Sequence, residues 1–259
     1  MDDTPSTPPE QTPAQSSLFG RLFNIFAAPG EVYAEVKTSP PCTANWLTPV
    51  LVFVLASWLG FALMYSQDSV RQQLADIRNQ AIEKQMAKTK VPPAQVEQAQ
   101  QMAEKFGTIS TIVGAVAGAA VVGFISPFWW GLILWLVGAK AFKGSFGYMR
   151  AVEVAGLSLM IDALEAVVKP LLVLSFGNFF ATPSLALLVK EFDPMNTVHG
   201  LLAVVNVMTF WVLAVKAVGL AKLCGISFGK AAVWVFGIWV VVTGAFFGIG
   251  TAIRLAFGG

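Results

Sequence analysis

Five long apolar stretches, separated by polar segments, dominate the hydrophobic pattern of the chain. A helix needs about 20 apolar residues to cross a hydrocarbon core of about 30 Å, because each residue adds about 1.5 Å. The pattern therefore predicts an all-α fold, a polytopic bundle of about five transmembrane helices within a domain over residues 46–257. The predicted spans cover residues 46–66, 108–139, 148–169, 198–220 and 230–256.

The second apolar stretch, residues 108–139, does not fit a single straight crossing. It would form a helix of about 48 Å, whereas two crossings would need about 40 residues. We therefore predict one long helix that is kinked near Pro127 and whose start projects from the membrane. Gly114 and Gly118 form a GxxxG pattern, which lets two helices approach closely, so both are candidate helix-packing residues.

The segments before the first span are predicted to lie outside the bilayer. Residues 1–16 are rich in Pro, Ser, Thr and Gln, which predicts a disordered tail without a signal peptide. Residues 17–45 form an amphipathic entry segment, in which SLFGRLFNIFAA (17–28) places apolar residues at helical spacing. This short helix either lies in the headgroup plane or packs on its own bundle.

Two further segments interrupt the apolar stretches. Residues 68–106 are polar, and narrow apolar stripes on both sides of Pro92-Pro93 predict two solvent-exposed helices. After the third span, Thr182-Pro183 resembles an N-cap followed by proline at the first helical position. This pattern predicts a short interfacial helix that ends at Val189.

Composition supports a membrane protein and narrows its chemistry. Of 259 residues, 56% are hydrophobic and 12% are charged, and the mean hydropathy is +0.66, whereas soluble domains carry about 25% charged residues. The net charge of +2 without a basic stripe argues against nucleic acid. Cys42, Cys224 and the single His199 form no metal-ligand or disulfide pattern. We find no GxSxG and no phosphate-binding glycine loop, and we predict no catalytic residue and no cofactor.

Three ionisable residues stand inside the third predicted span. At 100° per residue, Asp162, Glu165 and Lys169 lie on one face of the helix. A charge at mid-membrane costs about 2.5–3.5 kcal/mol, so this face should not contact lipid. Three interpretations remain: a buried Glu165–Lys169 pair that orients the helix, a proton or ion site lined by Asp162 and Glu165, or exposed residues beyond the end of the helix.

Basic residues in the short loops predict the orientation. Positively charged loops stay in the cytoplasm, and loops of equal parity share a side. The N-terminus is therefore predicted to be cytoplasmic and the C-terminus outside, with the protein in a cell (inner) membrane. The basic residues that predict this orientation are Lys140, Lys143 and Arg150 after the second span, and Lys216, Lys222 and Lys230 after the fourth.

Four segments suggest a family. They are FGRLFNIFAAPGEVYAEV, SPPCTANWLTPVLV, FDPMN and VGLAKLCGISFGKA. Over residues 18–257 the layout resembles the prokaryotic branch of the Yip (Ypt-interacting protein) domain family. The resemblance implies an inner-membrane protein with a cytosolic N-terminus. Eukaryotic relatives are linked to small GTPases and vesicle traffic, but their tyrosine-glycine-proline motif is absent here, so that role is not carried over.

Two functions follow as hypotheses. The first is a non-enzymatic scaffold or interaction protein in membrane organisation, whose partners are the lipid bilayer, other membrane proteins or a second copy of the chain. The second is a small transporter or proton-coupled permease that uses Asp162 and Glu165.

Overall fold

The computed structural model describes residues 16–88, 93–190, 192–193 and 196–258. The predicted disordered tail therefore lies outside the described residues, apart from Ser16. The described part is helical, with one isolated β-bridge, and confirms the predicted all-α fold. The α-helices are α1 (Leu18–Ala27), α2 (Pro29–Thr38), α3 (Ala44–Tyr65), α4 (Asp68–Lys88), α5 (Pro93–Ala141), α6 (Tyr148–Phe176), α7 (Thr197–Val204), α8 (Val207–Cys224) and α9 (Phe228–Gly258).

Four helices in the described part of the chain are long and apolar enough to cross a membrane. They comprise Ala44–Tyr65, Phe106–Ala141, Val207–Cys224 and Phe228–Gly250. The helix α6 is also long, but Asp162, Glu165 and Lys169 interrupt its apolar run. It is the helix whose first turns are most completely buried, so the other helices shield it.

The pair α3 and α6 forms the centre of the bundle, and the two helices run in the same direction. A Cβ atom on Gly156 would lie 2.4 Å from the Cα atom of Trp46, near the start of both helices. A Cβ atom on Gly60 would lie 2.7 Å from the carbonyl oxygen of Ala166, near the end of both. The two glycines thus let the helix backbones touch at two levels.

The helices α5 and α8 run opposite to α6. Gly131 of α5 packs on Val152, and Gly219 of α8 packs on Val154, so the later parts of both helices lie beside the start of α6. The helix α9 returns along α8, where Trp239 contacts Phe210 at 5.7 Å between ring centroids. Since α3, α6 and α9 run in one direction and α5 and α8 run in the other, the start of α3 and the end of α9 lie at opposite ends of the bundle.

The third predicted span ends too early. The sequence predicts an end at Lys169, before Pro170, but α6 continues to Phe176 and is closed by Gly177 at φ 62°. Proline removes one helical hydrogen bond, which leaves the carbonyl of Ala166 without its donor. Gly60 of α3 lies against that carbonyl, so the two helices are in close contact where the helical hydrogen bond is missing.

The fourth predicted span, 198–220, is divided in the structure. The break lies at Val205 and Asn206, between α7 and α8. Asn206 has an extended backbone, and its Oδ1 atom accepts a hydrogen bond from the amide of Met208 at 2.8 Å. An asparagine that caps a new helix competes with continuation of the old one, which explains the division.

The remaining differences concern the polar segments. The short helix predicted from Thr182-Pro183 is a 3-10 turn, Leu185–Leu188, and its cap is Ser184. The predicted polar insertion comprises α4 and the first turns of α5. With 49 residues, α5 is about 74 Å long and continues past Pro127, so it is much longer than one bilayer crossing.

Candidate functional site

A cavity of about 220 Å³ lies where all five long bundle helices meet. Phe53 of α3, Trp130 of α5 and Trp239 of α9 supply apolar walls. The polar groups that face the cavity are Ser126 of α5, Asp162 of α6, and Thr209 and Lys216 of α8.

Lys216 is the most deeply buried cation of this cavity. Only 3% of the residue is exposed, and its Nζ atom lies 5.1 Å from the centroid of the Trp130 ring. A cation over an indole face is attracted by the ring quadrupole, and this stabilises a charge that has left water. The sequence predicts Lys216 in the loop after the fourth span, and this is wrong, because the residue is buried at the cavity about two turns before the end of α8.

Asp162 faces Lys216 across the cavity without a direct ion pair. The two charges influence one another electrostatically, yet no ion pair within 4 Å joins them among the described residues. Separated charges in a dry interior are costly, so the space between them suits water or a small polar ligand. The site therefore combines an acid, a base and two hydroxyl groups within apolar walls.

The three residues predicted on one face of α6 go to different partners. Glu165 accepts a hydrogen bond from Nδ2 of Asn206 at 2.6 Å, and Lys169 places its Nζ atom 5.4 Å from the centroid of the Phe179 ring. No ion pair within 4 Å joins Glu165 to Lys169 in the described part of the chain. Only Asp162 lines the cavity, so the predicted site is not a single constellation.

The position of α6 along the bundle changes the expected depth of these residues. The sequence places membrane entry near Tyr148, but Gly156 packs beside Trp46, the aromatic residue at the start of α3. Taking Trp46 as the interface, Asp162 lies about 9 Å beyond it and Lys169 about 20 Å beyond it. Asp162 then lies in the leaflet that is nearer to α1.

A buried polar network joins the start of α6 to the N-terminal segment. Glu153 is 1% exposed and accepts a hydrogen bond from Nδ2 of Asn45 at 2.6 Å. Arg150 pairs with the same carboxylate at 3.3 Å and also donates to the carbonyl of Ser39. Because Ser39 and Asn45 flank the link between α2 and α3, this network fixes both helices against α6.

Arg21 extends the network into α1. It pairs with Oε1 of Glu35 at 2.8 Å and donates to Oδ1 of Asn45 at 3.2 Å. Burial raises the pKa of the Glu35 carboxyl, but the hydrogen bonds from Ser16 and Arg21 and the charge of Arg21 outweigh it, so the pKa lies below its usual value. Glu35 therefore stabilises this contact as an anion at neutral pH, and the contribution fades as the pH falls through its folded pKa.

The sequence left two alternatives for the amphipathic helix α1: contact with the membrane surface or packing on its own bundle. The structure shows one packed face and one exposed face. Its inner face, with Leu22 and Ile25, is buried in the bundle core. Phe19 and Phe23 are 69% and 58% exposed, with ring centroids 4.5 Å apart. The helix is thus packed on its own bundle and still offers two aromatic rings to its surroundings.

The two glycines of the predicted packing motif touch nothing in the described part of the chain. A Cβ atom on Gly114 or on Gly118 would find no neighbouring atom within 4 Å. Gly123, on the opposite side of α5, instead packs against Phe53 and Val54 of α3. The GxxxG face is therefore directed away from the bundle.

Sequence reasoning missed Lys216, Glu153 and Asn206 as functional or structural polar groups. Lys216 could have been found, since it interrupts the apolar run WVLAVKAVGL. Glu153 gave no such signal, because its partner Asn45 is far away in the sequence. Within the described residues, no group of three His, Cys, Asp or Glu side chains could hold a metal ion.

Comparison with known families agrees with this architecture. The family model for the Yip1 domain matches residues 23–249, from α1 to the apolar part of α9. Neither the curated proteins nor the solved structures give a significant match. The match covers the cavity, the helices that surround it and the polar network except for Arg21.

Proposed function

Because the chain belongs to the Yip1 domain family of multi-pass membrane proteins, we propose that it acts without catalysis, as a scaffold that associates with other helices in the bilayer. Its working surfaces are the outer faces of α5 and α9, together with the amphipathic helix α1. The proposal places it in an inner membrane with α1 and α2 in the cytoplasm.

The observation that carries the proposal is the exposure of α5 and α9. In the most apolar 18-residue stretch of each helix, only 6% of the residues are buried, whereas 56% are buried in the corresponding stretch of α8. Lipid tails cover such faces at no special cost, but a scaffold also needs a place where another helix can dock. The most apolar stretch of each of these two helices is therefore almost entirely available for contact with another helix.

The face of α5 around Gly114 and Gly118 has the geometry that helix association requires. Two glycines four residues apart open a shallow groove, into which a second backbone fits closely. Val121 and Ile125 continue the same face and are 54% and 58% exposed. This face supports docking of another transmembrane helix, including α5 of a second copy.

The distribution of charged residues supports the proposed orientation even when Lys216 is not counted as a loop residue. Among the described residues, basic side chains outnumber acidic ones at the end of the bundle that carries α1 and α2, as expected for a cytoplasmic side. The basic residues are Arg21, Lys37, Lys140, Lys143, Arg150, Lys222 and Lys230, and the acidic residues are Glu31, Glu35 and Glu153.

Replacement of both Gly114 and Gly118 by leucine tests the association. We expect the double variant to fold normally and to lose association by about fivefold, which corresponds to about 1 kcal/mol. The measurement is in-membrane cross-linking between differently tagged copies, together with the recovery of stoichiometric membrane partners. Val113→Leu adds bulk at an exposed site on another side of α5 and should change nothing. Unchanged association of the glycine variant would exclude this face.

A permease is the second candidate, and the cavity with Asp162 and Lys216 is the observation that favours it. Ionisable residues inside a membrane commonly mark ion or proton pathways. Glu165, the other acid that the sequence assigned to a permease, hydrogen-bonds to Asn206 and does not line the cavity. Any transport through this cavity would therefore depend on Asp162 and Lys216.

Proton flux into proteoliposomes tests the permease. If the cavity conducts protons, Asp162→Asn should lower the flux at least about tenfold, because the only acid in the described lining of the cavity is lost. Glu165→Gln is the matched control and should retain the flux. Equal proton entry into wild-type and protein-free liposomes would end this hypothesis and would leave the scaffold proposal untouched.

A further inference from the structure

A second cavity, of about 500 Å³, opens at the end of the bundle near α2. It lies between α2, the loop from α5 to α6, and the end of α8. The residues that matter for its chemistry are Lys37, Lys143, Ser145, Gly147 and Arg150. The described lining contains three cations and no aspartate or glutamate, so the cavity is suited to an anion.

The three cations are held in different ways. Nζ of Lys37 donates to the carbonyl of Lys222 at 3.0 Å, which fixes this lysine to the end of α8. The Arg150 side chain is 12% exposed and is oriented by Glu153 and the carbonyl of Ser39. Lys143 is exposed and has a positive φ of 51°. Two preoriented cations and one movable cation thus surround the cavity.

The backbone adds to the positive potential. Gly147 is the N-cap of α6 and supplies no side-chain hydrogen bond, and the first turn of α6 contains no acidic residue. The first amides of a helix lack helical acceptors, and the helix dipole places partial positive charge at this end. An oxyanion bound here would receive amide hydrogen bonds in addition to the three cations.

The surroundings indicate where the anion comes from. The cavity lies at the α1–α2 end of the bundle, where Arg150 stands about 9 Å along α6 before Gly156, the residue that packs beside Trp46. The nearby carboxylates of Glu35 and Glu153 are already paired with Arg21 and Arg150. Basic pockets between transmembrane helices at this level are suited to anionic lipid headgroups.

We propose that this cavity binds the phosphate of an anionic phospholipid headgroup, through Lys37, Lys143, Arg150 and the free amides at the start of α6. The lipid would anchor the α2 end of the bundle to the cytoplasmic leaflet. This site is separate from the helix-association face of α5, so either proposal can fail alone.

Lipid titration of the purified full-length protein in detergent tests the site. The probes are dioctanoyl phosphatidylglycerol, dioctanoyl phosphatidylcholine and inorganic phosphate, and bound lipid is counted by native mass spectrometry. Phosphatidylglycerol should bind in preference to phosphatidylcholine, and equimolar phosphate should not displace it. Equal binding of the two lipids, or displacement by phosphate, would overturn the assignment to an anionic lipid.

The matched variants separate the cavity from general surface charge. Lys37→Gln with Lys143→Gln should weaken phosphatidylglycerol binding about 25-fold, because each lysine contributes about a factor of five. Lys140→Gln with Lys230→Gln removes the same charge from exposed positions at the same end and should have much less effect. Equal losses in the two pairs would mean that the cavity has no specific role.

A third variant controls for folding. The Cβ position of Gly147 is open, so Gly147→Asp places a carboxylate at the N-cap of α6 without a clash. Aspartate is a good N-cap, so thermal stability should be retained or increased, while phosphatidylglycerol binding should fall because the carboxylate occupies the same amides. Retained lipid binding in this variant would overturn the proposal.

Discussion

Replacement of Glu153 by alanine is expected to lower the free energy of unfolding by about 3–5 kcal/mol, the range for breaking a buried charged pair. The carboxylate is 1% exposed and holds both Asn45 and Arg150. Without it, the guanidinium of Arg150 stays partly buried without its counter-ion, and the amide of Asn45 loses its acceptor. Reversible unfolding in mixed detergent, followed by circular dichroism, measures the change.

Two controls define what the Glu153 result means. Glu153→Gln keeps an acceptor for Asn45 and should recover part of the loss, while Glu31→Ala removes an exposed carboxylate on α2 and should be nearly neutral. Limited proteolysis should also cleave the α2–α3 link faster in the alanine variant. Wild-type stability of Glu153→Ala would show that packing alone holds α2 and α3 against α6.

The helical architecture could be predicted because the surrounding medium is the apolar interior of a bilayer and not water. A long apolar stretch in a bilayer must satisfy its backbone hydrogen bonds within a helix, so composition alone determines the secondary structure. The predicted start of the first span, Trp46, lies two residues from the start of α3, and the predicted start of the last span, Lys230, lies two residues from the start of α9.

The boundaries at Pro170 and Asn206 could not be predicted, because tertiary contacts determine them. A proline in the sequence indicates an end, but Gly60 of a distant helix packs against the Ala166 carbonyl that Pro170 leaves without a donor. An asparagine in an apolar run looks tolerable, but here its side chain caps α8 and bonds to Glu165 of α6. Neither partner is near in sequence.

The candidate site, too, could be predicted only in part, because its partners come from different helices. Asp162 was found because a charge in an apolar run is conspicuous. The sequence joined it to Glu165, three residues away on the same helix, whereas the structure supplies Lys216 from α8. Periodicity within one helix identifies a face but does not say which helix covers it. Glu153 was not recognised, because it lies near the predicted start of the third span and its partner Asn45 is far away in the sequence.

The distribution of glycines separates the interior of the bundle from its surface. Gly60 and Gly156 bring α3 and α6 into backbone contact, whereas Gly114 and Gly118 face open space. A glycine in a helix is costly relative to alanine unless close packing repays the cost. The contact between α3 and α6 explains why Gly60 and Gly156 are glycines. Gly114 and Gly118 are explained if another helix docks on α5.

Gly156→Ala is expected to cost about 3 kcal/mol, at the upper end of the range for overpacking. Its Cβ atom would lie 2.4 Å from both Cα and Cβ of Trp46, and the Cα cannot move without shifting α3. Gly114→Ala makes the same chemical change in open space, and should be neutral or slightly stabilising because alanine favours helix. Unfolding of the two purified variants in detergent measures the difference. Equal stabilities would mean that α3 and α6 are not in backbone contact at this level, and that Asp162 is not held at the depth deduced from Trp46.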